Sequence, residues 1–125
     1  TPLDMACLGG DIKIVQLLLQ NGANPNPQGE LSTSPLHMAC DAGHIAIAKL
    51  LLQLGVDINL QVDEPHYPEK SLTPLHLACY RGHTTLVDLL LQNNVDLSAQ
   101  SKSLDTALHT ASRRGHLNIL KLLLE

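Results

Sequence analysis

The chain contains no tryptophan and no phenylalanine, and Tyr67 and Tyr80 are its whole aromatic complement in 125 residues. Base-stacking platforms and aromatic-walled cofactor pockets therefore have almost no raw material. Basic residues are scarce too: 8 Lys+Arg stand against 12 Asp+Glu, for a formal net charge of -4. A general nucleic-acid binder carries a basic surplus to replace phosphate counterions, so no nucleic-acid partner is expected. Long hydrophobic runs are missing as well. Leu50 to Leu52 and Leu89 to Leu91 stop far short of the roughly 20 residues that cross a bilayer, so no membrane insertion is expected. Asp4 and Asp11 stand where a signal peptide would need a basic start and an apolar stretch. The opening Thr1-Pro2, without Met, and the closing Leu-Leu-Leu-Glu read as a segment cut from a longer protein. Cys7, Cys40 and Cys79 are an odd number in a chain without an export signal, which suits a reducing, intracellular compartment, cytoplasm or nucleus.

What is present is 44% apolar residues, enough for one soluble domain with a real core, and a repeat. Thr1-Pro2-Leu3-Asp4-Met5-Ala6-Cys7 returns as Ser34-Pro35-Leu36-His37-Met38-Ala39-Cys40, as Thr73-Pro74-Leu75-His76-Leu77-Ala78-Cys79, and as Thr106-Ala107-Leu108-His109-Thr110-Ala111-Ser112, with starts separated by 33, 39 and 33 residues. A hydroxyl residue followed by proline is a helix start: the hydroxyl caps free amides, and proline takes the first position, where a missing N–H costs nothing. Gly10, Gly43, Gly82 and Gly115 end this short first helix by accepting the left-handed conformation. A second helix follows in each unit and ends in Leu-Leu-Leu. In unit 2, Ile45, Ile47, Ala48, Leu50, Leu51 and Leu52 cover more than one stripe, which predicts burial on more than one side, as in a stack. Gly22 and Gly55 close the second helices of units 1 and 2, and Asn94 takes that place in unit 3 because Asn tolerates the same backbone.

Four copies of Thr/Ser-Pro-Leu-His-x-Ala at this period resemble the ankyrin repeat, and the resemblance covers the whole chain. It implies an all-α fold: an ankyrin-repeat α-solenoid of antiparallel helix pairs stacked in one direction, with hairpin-like loops projecting from one edge and a concave binding surface. The units would span about 1–33, 34–72 with a loop insertion near 62–70, 73–105, and a truncated 106–125, all in a single domain.

Seven histidines invite a metal or catalytic reading, and the register argues against both. His37, His76 and His109 occupy the Thr-Pro-Leu-His position, where the resemblance implies hydrogen bonds between a loop and the neighbouring unit. His44, His83 and His116 follow the inter-helix glycine, another consensus place, and only His66 falls outside the pattern. His37 with Cys40, and His76 with Cys79, could share a helix face, but two ligands per unit fall short of a zinc site. Equivalent residues of stacked helices lie on the order of 10 Å apart, beyond the roughly 7 Å reach of a disulfide, so the cysteines are expected as free thiols. No Gly-x-Ser-x-Gly elbow, phosphate loop or Gly-x-Gly-x-x-Gly is present. The expectation is a chain that is not an enzyme, with no cofactor, no metal and no small-molecule substrate.

The resemblance implies that partner contacts come from the loop tips and from the two positions before each inter-helix glycine: Leu8 and Gly9, Asp41 and Ala42, Tyr80 and Arg81, Arg113 and Arg114. Tyr and Arg are the types most enriched at interface hot spots, although arginines also serve simply to solubilise an exposed face. Charge follows the same line. Residues 1–69 hold two bases against eight acids, a net of -6, and residues 70–125 hold six bases against four acids, a net of +2. An acidic or phosphorylated peptide would be drawn to the C-terminal units, where arginines offer forked donors. The 39-residue spacing marks a six-residue insertion between Val62 and Lys70. A neutral insertion is tolerated cheaply, yet this one carries two prolines, His66 and Tyr67, which makes it a second contact candidate expected to lie beside Tyr80 and Arg81. The resemblance implies that Asn26 and Asn59 lie at the loop asparagine that ankyrin domains can present to an asparaginyl hydroxylase, the alternative for both being a loop hydrogen bond. The function that follows is a monomeric, preorganised protein-interaction scaffold, the alternative being the regulatory or targeting arm of a larger enzyme, receptor or channel.

Overall fold

The computed structural model describes residues 1–27 and 33–125. The loop joining the first two units therefore lies partly outside the described residues. Eight helices occur among the described residues, and no strand. They are α1 (Pro2–Gly9), α2 (Ile12–Gln20), α3 (Pro35–Ala42), α4 (Ile45–Gln53), α5 (Pro74–Arg81), α6 (Thr84–Gln92), α7 (Ala107–Arg114) and α8 (Leu117–Leu124). Each consecutive pair packs together; α1, α3, α5 and α7 then stack in one row, and α2, α4, α6 and α8 in a second. This is the all-α solenoid that the repeat implies.

The first helices start as the hydroxyl-proline pattern requires. The Thr1, Ser34 and Thr73 hydroxyls accept hydrogen bonds from the Asp4, His37 and His76 amides at 3.1, 3.1 and 3.2 Å, quieting N–H groups that no helical carbonyl reaches. The reversal into the second helix is only two residues long. At Gly43 it takes φ 81°, and a Cβ there would lie 2.8 Å from the His83 ring, so glycine answers both a conformational and a steric demand. His44, His83 and His116 open α4, α6 and α8 without capping them. Their Nε2 atoms reach back instead to the Leu8, Asp41 and Tyr80 carbonyls of the preceding unit at 3.0, 2.9 and 3.3 Å.

The core is a ladder of repeat-equivalent side chains between the two rows. Leu3, Leu36 and Leu75 are buried, as are Cys7, Cys40 and Cys79, and Ile47, Leu86 and Ile119. The end units are thinner: Ile14, equivalent to Ile47, is 49% exposed, and Leu108, equivalent to Leu36, is 36% exposed. In α4 the apolar run is buried at Ile47, Ala48 and Leu51 and half-buried at Leu50 and Leu52, while Ile45, its first residue, is exposed. The cysteines are free and buried, and burial raises each thiol, those of Cys7 and Cys79 to about 12, so all three stay protonated and unreactive.

Candidate partner-binding site

The inserted segment folds back onto the ends of the first helices. Its neck is an antiparallel bridge between Val62 and Leu72, with reciprocal amide-to-carbonyl bonds of 2.9 and 2.8 Å. Ser71 beside it takes a left-handed φ of 58°. Within the loop, the buried Glu64 accepts from the His66 amide and lies 2.7 Å from His66 Nδ1, which leaves the imidazole itself exposed at the tip.

Tyr67 does not project into solvent as a loop-tip contact would. It is 4% exposed and packs edge-on against Tyr80 with ring centroids 4.8 Å apart. Its hydroxyl donates to Asp41 Oδ1 and accepts from Arg81 Nε at 2.9 Å, and Arg81 Nε also donates to Asp41 Oδ1 at 2.9 Å. Burial and the neighbouring Asp41 carboxylate push the Tyr67 phenol up, so it remains a donor. Asp41 of unit 2, Tyr80 and Arg81 of unit 3 and the insertion are thus tied into one cluster. Sequence reasoning expected the insertion beside Tyr80 and Arg81; its contact with Asp41 and the hydrogen bonds joining the cluster lay beyond it.

The arginines differ in what they have left to offer. Arg81 is paired with Asp41, and Arg113 Nη1 lies 2.7 Å from Asp105 Oδ2. The Arg113 guanidinium holds the Asp105 carboxyl below its usual range. Arg114 has no carboxylate partner among the described residues, and its guanidinium lies over the Tyr80 ring, 4.2 Å from the centroid. Asp105 was missed in the sequence; its signal was an acid directly before the Thr106 helix start. Leu8 stands apart on α1, two units away, and is 38% exposed.

Of the three histidines expected to bond a neighbouring loop, His37 and His76 do so, whereas His109 is exposed and bonds only Thr106. His37 Nε2 donates to the Leu72 carbonyl at 2.9 Å while Nδ1 receives the Ser34 hydroxyl at 2.6 Å. His76 makes the same pair with Asp105 O at 2.9 Å and Thr73 Oγ1 at 2.7 Å. Burial lowers the His37 ring from 6.5 to about 4 and the His76 ring in the same direction, so both are neutral at pH 7. Among the described residues no three His, Cys, Asp or Glu converge as a metal site would require. Among the same residues no helix is long and apolar enough to cross a membrane. Asn59 Oδ1 accepts from the Asp96 amide at 2.9 Å and so ties two loops together, whereas the Asn26 side chain is exposed.

The family model for ankyrin repeats (3 copies) matches residues 1–63 and again residues 60–125. No curated protein matches the chain. Tandem matches that together span every residue, over helix pairs stacked through repeat-equivalent histidines and leucines, show that the chain belongs to the ankyrin-repeat family.

Proposed function

We propose that the chain is a non-enzymatic scaffold that binds a protein or peptide across the face built from the ends of α1, α3, α5 and α7 and the adjoining loops, and that units 3 and 4 receive an acidic or phosphorylated segment. Ankyrin repeats are in general protein–protein interaction modules. The observation that carries the finer reading is Arg114: a guanidinium laid on Tyr80, without a carboxylate partner among the described residues, on the half of the chain that carries net positive charge. Its forked donors match a carboxylate or phosphate, and the ring beneath holds them in place before any partner arrives. Leu8, Asp41 and His66 would supply contacts farther along the face. Asn26 is the more accessible of the two candidate hydroxylation sites, because the side chain of Asn59 already bridges two loops.

The test is affinity capture from cell lysate on the wild-type chain and on Arg114→Glu, each at low and high salt. Partners lost from the variant and weakened by salt support the reading, provided the two melt at the same temperature. Partners held equally by both would move binding to the Leu8, Asp41 and His66 end of the face. Arg81→Glu is unsuitable for this purpose, because it also breaks the bonds to Asp41 and Tyr67.

A further inference from the structure

The insertion also walls a cavity of about 440 Å³ between unit 3 and unit 4. Leu72 and Leu77 line its apolar part, Tyr67 and Pro68 of the insertion stand on one side, and Tyr80 and Thr110 come from α5 and α7. Leu77 fills the repeat position held by Met38 in unit 2 and is fully buried; with Tyr67 and Leu72 it forms a small apolar cluster separate from the main core. The volume falls within the roughly 300–1,000 Å³ of ordinary ligand cavities, so it admits a large side chain.

We infer that this cavity receives a bulky apolar side chain of a bound peptide, and that an acidic residue one or two positions away in the same peptide pairs with Arg114. The inference rests on the peptide-binding reading above and says what the peptide carries. The charged groups at the rim decide the acidic half. Asp105 is occupied by Arg113. Ser103 and the Lys70 amide hold the Glu69 carboxyl below its usual range, so its charge is already met by donors. Arg114 alone has its fork free of any carboxylate among the described residues. A cationic residue is disfavoured, because guanidinium groups already lie near both tyrosine rings: Arg81 is 5.4 Å from the Tyr67 centroid and Arg114 is 4.2 Å from that of Tyr80. The apolar half follows from the lining: over a floor of buried Leu72 and Leu77, an apolar side chain placed against the exposed Pro68 and the half-buried Tyr80 removes surface from water on both partners without stranding a polar group.

The experiment is selection of a random peptide library displayed on phage against the wild-type chain, followed by affinity measurement on synthetic copies of the recovered peptides. Wild type is expected to recover a large apolar residue within two positions of Asp or Glu; synthetic copies with phosphoserine in the acidic place compare phosphate with carboxylate. Ser103→Trp fills the cavity from its exposed rim, and Thr110→Leu fills it from α7; a matching thermal melt certifies each. Either should weaken the peptide about tenfold or more, the loss that follows removal of an interface anchor. Replacing the peptide's apolar residue by Ala should weaken wild type equally and the filled variants hardly at all, the non-additivity of a direct contact. Fully additive losses would overturn the cavity assignment, and if Arg114→Glu still abolished binding the peptide-binding reading would stand. Peptides indifferent to Arg114→Glu and to salt would overturn both. A dimer in sedimentation that Ser103→Trp dissolves would put a second copy in the cavity and overturn the assignment as well.

Discussion

Acid should destabilise this protein through His37 between about pH 6.5 and 4. The ring is 0% exposed, is bonded at both nitrogens, and has its proton affinity lowered by burial from 6.5 to about 4. The unfolded chain binds a proton at the ordinary value and the folded chain does not, so stability falls as pH drops from 6.5 toward 4 and levels off below that. At about 1.4 kcal/mol per unit of displacement, the loss is about 2 kcal/mol by pH 5 and about 3 kcal/mol by pH 4. His76 is displaced the same way and adds to it. Glu69 and Asp105 are lowered from 4.5 and 3.8, so their contributions are lost only at pH values below those at which His37 and His76 begin to act. Urea unfolding across that window on wild type and on His37→Gln isolates the term: the variant starts less stable and its stability declines with a shallower slope, so the gap between the two narrows by about 2 kcal/mol at pH 5. Following the His37 ring proton by NMR gives the midpoint directly. A midpoint near 6.5, with parallel stability curves for the two proteins, would refute the reasoning.

Three further outcomes follow from the packing. Leu51→Ala should cost about 2–5 kcal/mol by opening a cavity between stacked units, whereas Leu17→Ala, at a site 59% exposed, should stay within about 0.5 kcal/mol; similar losses in urea melts would mean the stacking register is wrong. Gly43→Ala and Gly55→Ala both meet a φ of 81°, but only the first drives a Cβ into a histidine ring. Gly43→Ala should therefore be worse by about 1 kcal/mol, the worth of the His83 bond to the Asp41 carbonyl, and equal losses would deny that bond a stabilising role. Tyr67→Phe keeps the ring packing but removes the hydroxyl between Asp41 and Arg81, so it should cost about 2 kcal/mol in thermal unfolding; no change would show that the insertion is not latched there.

The period of the repeat, the hydroxyl-proline starts and the glycine stops were legible from residue order because each acts within a few positions: a cap reaches its own first turn, and a left-handed stop concerns one residue. Those local rules, repeated four times, determined the eight helices, their pairing and the family. The period also made Tyr80 equivalent to Arg113 and Arg81 to Arg114, and the resemblance implied that these positions share a face. Burial at equivalent positions was decided only by the stack. Ile14 and Ile47 share a place in the repeat, yet one is 49% and the other 1% exposed, because burial belongs to the neighbouring unit and not to the residue. The insertion is the sharper case. Its composition of two prolines, a histidine and a tyrosine describes a stiff, exposed loop equally well. Only the tertiary structure brings Tyr67 under Arg81 and onto Asp41, residues 14 and 26 positions away, and pairs Arg113 while leaving Arg114 free among the described residues. Hydrogen bonding and charge pairing depend on distances of a few ångströms. A loop of irregular length has no period from which such distances can be read.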